Sequence, residues 1–550
     1  MIDDPIREIK LPLGHTDQDL KDAIAKKTGL TATELPDWTI LKKSIDARKK
    51  PDIHFIYTIG FVRHETHQGV ISLLEKGLGD SRESVHAIMN RPVIVGLGPA
   101  GLFAALYLAM AGQRPLVLER GKAVERRSSD VEKFWQNGVL NPESNVQFGE
   151  GGAGTFSDGK LTTGTRNDRI RVILEELVLN GAPAEILYLS KPHVGTDKLR
   201  NVVKNLREKI IHFGGEIRFD ACLKDLEIFN NQLAGIYVSY NQSGEDKAEQ
   251  TKNARYEYIR TDKLIIAPGH SARDTFEMLH RKKITMQPKP FAIGARIEHA
   301  QSLIDHAQYG SSAGHPQLPP AEYKLAVHLP NGRSVFTFCM CPGGEVIAAA
   351  SEEGGVVTNG MSRQARDGTN ANSAVLVNVT PDDFSGADPL AGVRFQRYWE
   401  QKAFHQAGSS YHAPAQRADE FLGLSGYQLS SLRNRAGIDY AQYPSLSPSY
   451  RPGVSWSDLS LSLPDFVSYS LKLALPQFER KLKGFVTGDS ILTGPECRSS
   501  SPVKILRGSD CQSDTRGIFP CGEGAGYAGG IMSAAVDGLR CAEALLILSK

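Results

Sequence analysis

Apolar and polar residues alternate through PIREIKLP, residues 5–12, which is the pattern of a half-buried strand. The period then changes. In TDQDLKDAIAKKTG, Thr16 is a capping residue, Leu20 and Ile24 share one helical face, and Gly29 supplies the stop. DIHFIYTIGFV reads as another strand, and QGVISLLEKGL as a helix before the polar junction GDSRES. Residues 1–88 therefore predict a small N-terminal α/β or α+β domain, with no catalytic spacing and the character of a docking or cap unit.

The pattern becomes continuously apolar in RPVIVGLG, a buried strand, and in GLFAALYLAMAG, a helix ending at Gly112, after which RPLVLER gives a second strand. Strand, glycine turn, helix and strand fall within the length of a βαβ unit. Gly96 permits a tight exit from the strand, Gly98 lets backbone approach a pyrophosphate, and Gly101 lets the helix lie close to the sheet. Helix N-terminal amides face the anion. Pro99 and Ala100 lie in the same turn and join the candidate cofactor contacts. Glu119 ends the second strand, where a carboxylate accepts ribose hydroxyls, with Arg120 beside it.

A polar helix leads to FGEGGAGTFSDGKLTTG, 148–164. It is no nucleoside triphosphate loop, because Leu161 rather than Ser or Thr follows Lys160 and no strand runs into it. Gly151 and Gly152 remain candidate cofactor contacts. Further α/β elements follow: a helix from TDKLRNVV, strands in EIRFDACLKDLEIF and LAGIYVSY, an exposed loop in NQSGEDKAEQTKNA, and a strand returning through RYEYIRTDKLIIAPG to Gly269. These predict a nucleotide-binding fold in two parts, 89–275 and 481–550. Residues 276–480 form a second, mixed α+β lobe for substrate or capping, with strands in FAIGARIEHA, YKLAVHL and RSVFTFCMC and a charged helix from about 386 to 407. The Ser-, Tyr- and Pro-rich stretch 408–453 reads as an ordered cover over a site.

Composition narrows the class. A chain of 550 residues is too long for one core. Lys and Arg number 64 against 62 Asp and Glu, so a net charge of +2 gives no bulk grip on nucleic acid, and no nucleic-acid or membrane partner is expected. The start MIDDPIREIKLPLG lacks the form of a secretory signal, and a cytoplasmic location is the expectation. Seven scattered cysteines make neither a metal set nor a disulfide frame, and reduced thiols are expected.

Several chemistries fall away on spacing. Cys339 and Cys341 share one face of an extended strand, whose rise of about 3.3 Å per residue holds their side chains beyond disulfide reach; two inert thiols are the reading. Ser271 follows His270, but no nucleophile elbow is present. His299, His306 and His328 lack metal spacing and read as core or surface histidines. GPECRSSSPVKILRG gathers Glu496, Arg498 and three serines before a strand, a cluster suited to a carboxylate or the polar edge of a flavin. The distant run FPCGEGAGYAGGIMSAAVDG gives a strand, a turn and a closing helix without a second full βαβ unit. It fits the far half of a single extended cofactor site.

Together VIVGLGPAG, GGAGTFSDGKL, APGHSARDT, GARIEH, CMCPGGEV, TNGMS, GPECRSSSPV and CGEGAGYAGGIMSAAVDG closely resemble a family of uncharacterised FAD-dependent dehydrogenases within the two-dinucleotide-type flavoproteins, over most of residues 90–545. The resemblance implies a Rossmann-like, glutathione-reductase-like FAD domain. It puts Gly96, Gly98 and Gly101 around the pyrophosphate, Glu119 on the ribose, and Gly522, Glu523, Gly524 and Gly526 along the ribityl and flavin end, with helix amides near 524–527 at the ring. Glu523 stands where many relatives carry Asp, and Cys497 where Thr is common. The implied activity is FAD-dependent hydride transfer between a small substrate and an acceptor, with Arg498, and less directly Lys160, orienting the substrate. NADH or NADPH is a candidate transient reductant. An FAD-bearing scaffold without turnover and a flavin-dependent RNA-modifying enzyme are the alternatives.

Overall fold

The computed structural model describes residues 4–61, 68–78, 90–164, 166–240, 256–384 and 388–548. Its centre is a five-stranded parallel sheet in the order Ile518–Pro520, Leu264–Ile266, Val93–Val95, Leu116–Leu118, Glu216–Arg218. Successive side chains on a strand point to opposite faces, and that period divides the core in two. Ile94, Val117, Ile265 and Phe519 face a helical layer that includes Pro99–Met110, Thr196–His212 and Ile531–Ile547. Val93, Val95, Leu116, Leu118, Leu264 and Ile266 face the opposite way, toward the antiparallel sheet Ala221–Phe229, Gln232–Tyr240, Glu257–Arg260 and the helix Arg273–Arg281. Both faces are covered, which is why the four strands other than the edge strand Glu216–Arg218 are apolar throughout.

The second lobe is a seven-stranded sheet in the order Ala326–His328, Ser334–Cys341, Asn370–Val379, Phe291–Ala300, Ile491–Glu496, Ala413–Arg417, Val454–Trp456, antiparallel except for its last pair. All ten residues of Phe291–Ala300 are buried, and the helix Asp465–Lys481 packs across this sheet. The boundaries of the lobe differ from those read in the sequence. Residues 276–286 pack with the central sheet, and Ile491–Glu496, assigned from sequence to the closing part, is an inner strand of the second sheet. The chain returns to the centre only at Val503–Ile505, which pairs with Met286–Pro288.

The N-terminal unit is a three-stranded antiparallel sheet with the helix Asp17–Thr28. Thr16 caps the helix and Gly29 closes it in the left-handed region, as the sequence predicts, and Asp19 completes a reciprocal capping box with Thr16. The strand Trp38–Asp46 escaped the sequence reading because its apolar positions are few. The helix Val70–Leu78 belongs to the central unit instead: Val70 and Leu74 join its core, and the Val70 amide donates to Glu176. The junction 79–84 and the loop 241–254 lie outside the described residues. No described helix is long and apolar enough to cross a membrane.

Candidate functional site

Parallel strands end on one side of a sheet, so their C-terminal turns gather there. Val95 leads into Gly96–Gly98, Leu118 into Glu119 and Arg120, Ile266 into Gly269, and Pro520 into Gly522 and Glu523. These turns border one cavity of about 610 Å³, which Pro99, Ala100 and Gly152 also line. The distant glycine run thus meets the first one because its strand is added to the sheet beside Leu264–Ile266.

The glycines divide by what a side chain would meet. A Cβ at Gly101 would fall 1.9 Å from the Gly96 carbonyl oxygen, and one at Gly524 2.5 Å from that of Gly269. These two serve backbone packing and do not line the cavity; neither do Gly151 and Gly526. At Gly98 the nearest atom would be the Gly152 Cα at 3.7 Å, and at Gly269, Gly529 and Gly530 nothing lies within 4 Å, although all four border the cavity. Backbone is left bare where a ligand approaches, so the cradle fits a long dinucleotide such as FAD.

Glu119 is buried and its carboxylate is already occupied: it accepts the amides of Leu97 at 2.7 Å and of Gly121 and Gly149 at 2.9 Å each. It ties the first glycine turn to the 148–152 segment. Arg120 donates to Glu143 and to both oxygens of Asp274, and its guanidinium lies 4.2 Å from the Phe148 ring centre. Glu523 is half-buried in the cavity wall, where loss of water pushes its carboxyl up to about 7 while Lys289 opposes the shift. The closing helix does not begin at 524–527. Residues 522–526 form a turn, and the helix starts at Ile531 with Gly530 at its cap. Gly529, Gly530 and Ile531 reach the cavity, so the helix N-terminus still faces it, several residues later.

The far end of the cavity is built by the second lobe. Lys160 lines it and donates to the Met340 carbonyl. Arg498 lines it too, but its guanidinium is held by the buried Glu400 at 2.9 and 2.7 Å. Arg273, which sequence reasoning missed, grips the same carboxylate at 2.9 and 2.7 Å. Only its place in APGHSARDT marked it. His270 sits beside both arginines, and burial with those charges pushes its imidazole down to about 3, so it stays neutral. It contacts Ser271 at 3.0 Å. His299 is a core histidine bonded to the Phe485 carbonyl, whereas His306 and His328 are exposed. The one group with metal-ligand proximity among the described residues, Cys521, Asp537 and Cys541, has the Arg507 guanidinium lodged against it.

The stretch 408–453 is ordered but does not cover the cavity. It supplies the strand Ala413–Arg417 and the helix Gly426–Ala436, and none of its residues line the site. Cys339 and Cys341 also depart from expectation, because the strand is irregular there: Phe338 pairs with Ala374 and Cys341 with Asn372, so one extra residue is inserted between the pairs.

A parallel sheet with glycine turns around one long cavity and an antiparallel second lobe is the general architecture of FAD-binding oxidoreductases. Residues 290–499 match the family model described as "FAD-dependent protein, C-terminal domain-like", and residues 1–62 a domain of unknown function. The chain is 45% identical over 551 residues to an uncharacterised protein of Clostridium beijerinckii, covering 98% of each. It belongs to this uncharacterised family of FAD-binding, oxidoreductase-like proteins. Among solved structures it is similar to the flavin-dependent brominase Bmp2 (13% identity, TM-score 0.35, 84% of this chain and 79% of that one). It is also similar to a geranylgeranyl bacteriochlorophyll reductase-like protein of Thermoplasma acidophilum (12% identity, TM-score 0.35, 83% and 78%). At such scores the functional reading rests on this chain's own residues.

Proposed function

We propose that the protein is an FAD-dependent dehydrogenase that moves two electrons, as hydride, between a small organic substrate and a separate acceptor. The observation that carries this reading is the single cavity bordered by both glycine runs, Gly96–Ala100 and Gly522–Ile531. FAD bound there supplies reversible two-electron acceptance, and the protein supplies orientation and electrostatics.

Gly98 and the first amides of the helix Pro99–Met110 would hold the pyrophosphate. Glu119 acts first through the backbone it organises, and Glu523 and Lys289 set the charge of the cavity wall farther along. The amides at Ile531 present the positive end of a 17-residue helix to the same space. At the far end, Glu400 holds Arg498 in place, so Arg498 would shape the substrate end as a fixed wall. Lys160 donates to Met340 and lies 3.8 Å from the buried Asp158, with its ammonium at the edge of the cavity.

Native purification followed by an absorbance spectrum, then anaerobic mixing with NADH, NADPH and a panel of organic substrates, tests the proposal. Bound flavin that is reduced and reoxidised is the expected result. A protein that neither carries nor takes up FAD refutes it. A bound but redox-inert flavin marks a scaffold, and salt-sensitive RNA binding would mark the RNA-modifying alternative.

A further inference from the structure

Strand Ser334–Cys341 stops being regular where it reaches the cavity. The extra residue between Phe338 and Cys341 is accommodated by Cys339, which takes φ +45°, a left-handed conformation that strains a side-chain-bearing residue. The bulge undoes the separation that a regular strand would impose on the two cysteines. Cys341 donates its S–H to the Cys339 carbonyl oxygen at 3.3 Å, and each thiol acts on the ionisation of the other.

Their surroundings differ in a useful way. Cys339 borders the cavity, whereas Cys341 is fully buried behind it. Arg296 runs beneath the bulge: it pairs with Glu496 and donates through Nη1 to the Cys339 carbonyl at 2.8 Å. The Cys341 thiol, then Arg296 and Lys160, favour the thiolate of Cys339, while the same contact and burial push Cys341 up. An accessible, cation-flanked thiol with a second thiol behind it is the arrangement of an attacking and a resolving cysteine. Cys222, which also borders the cavity, is pushed up by burial despite the Arg120 charge beside it.

We propose that Cys339 and Cys341 form a reversible dithiol–disulfide pair that exchanges two electrons with the flavin held in the same cavity. The inference rests on the FAD reading above. In the oxidative direction the Cys339–Cys341 S–S bond forms and both S–H bonds are lost. The two electrons and two protons released go to oxidised flavin, which becomes the two-electron-reduced form; the reverse step opens the disulfide. Cys339 is the sulfur that meets the cavity, and Cys341 closes or releases the bond from behind.

Two measurements on native holoprotein test this. The first is anaerobic titration with dithionite, counting electrons taken up per flavin. The wild type is expected to consume four, and Cys339→Ser and Cys341→Ser two each. The second is alkylation of the oxidised holoprotein after denaturation, with peptide mapping. Two thiols should be protected, recovered by reductant, and located in the 339–341 peptide. This readout needs no variant and no turnover. A flavin-loaded wild type that takes up only two electrons, with both cysteines alkylated across a range of glutathione redox buffers, overturns the pair while leaving the FAD reading intact. A protein without flavin absorbance that binds no FAD overturns both, so the two failures are told apart by the spectrum.

Discussion

Gly98 separates a glycine required by folding from one required by a ligand. It caps the helix Pro99–Met110 at φ −76° and ψ −175°, extended backbone that any residue adopts. A Cβ there would make ordinary contact, 3.7 Å, with the Gly152 Cα. Gly98→Ala should therefore change stability by less than about 1 kcal/mol, since the entropy removed from the unfolded chain offsets the weaker cap. The methyl group instead enters the cavity where backbone is to meet the pyrophosphate. Displacing one charge-assisted hydrogen bond costs about 1.5–3 kcal/mol, which is roughly a tenfold to hundredfold weaker Kd for FAD. Flavin titration of the apoprotein by fluorescence, beside thermal unfolding, measures both quantities. Gly101→Ala is the contrast: its Cβ would sit 1.9 Å from the Gly96 oxygen, so folding itself should fail or weaken strongly. Unchanged flavin affinity in folded Gly98→Ala would refute the assignment of this turn to the cofactor.

Other outcomes follow from the buried charges. Glu400→Gln leaves Arg273 and Arg498 without their shared carboxylate and should cost about 3–5 kcal/mol, read from the urea midpoint; a loss under about 1 kcal/mol would contradict this network's role. Glu523, raised to about 7 from 4.5, binds more protons folded than unfolded. Its contribution to stability is thus greatest below pH 4.5 and declines as pH rises toward 7, where it levels off. Glu523→Gln should lessen the slope of pH-dependent thermal unfolding between pH 4.5 and 7, where Glu150 is raised as well, and an unaltered slope would disprove the assignment. Glu119→Gln keeps one oxygen for two amides but turns an N–H toward the third, Leu97 or its counterpart, and about 2 kcal/mol of stability should go with it.

How far the sequence reached depends on the range of each interaction. The helix cap at Thr16, the stop at Gly29 and the βαβ glycine turn were legible because their partners lie within a few residues. Three of the second lobe's strands, in FAIGARIEHA, YKLAVHL and RSVFTFCMC, were legible as strands, but the other four and the sheet they form were not. Ala413–Arg417 reads as part of a cover in sequence and becomes a strand because Ile491–Glu496 pairs with it. Val70–Leu78 looks like part of the N-terminal unit and packs elsewhere because its apolar face finds Pro99–Met110. Glu119 was read as a ribose contact and does line the cavity, yet its three amide partners were invisible, since Gly149 is thirty residues away.

The sequence by itself determined the local chemistry of this protein: a dinucleotide-type turn at Gly96–Gly101, a second glycine element at 522–530, and the cysteine spacing at 339 and 341. Period, caps and glycine positions are set by neighbours along the chain. Tertiary structure decided what those pieces do together. Pairing of Ile518–Pro520 with Leu264–Ile266 turned two glycine runs into one cavity. Distant charges fixed Arg498 to Glu400, and an extra residue in the strand set against Asn372 turned the Cys341 thiol onto the Cys339 carbonyl. Strand register and buried ion pairs join residues tens to hundreds of positions apart, and no local pattern records which partner will be met.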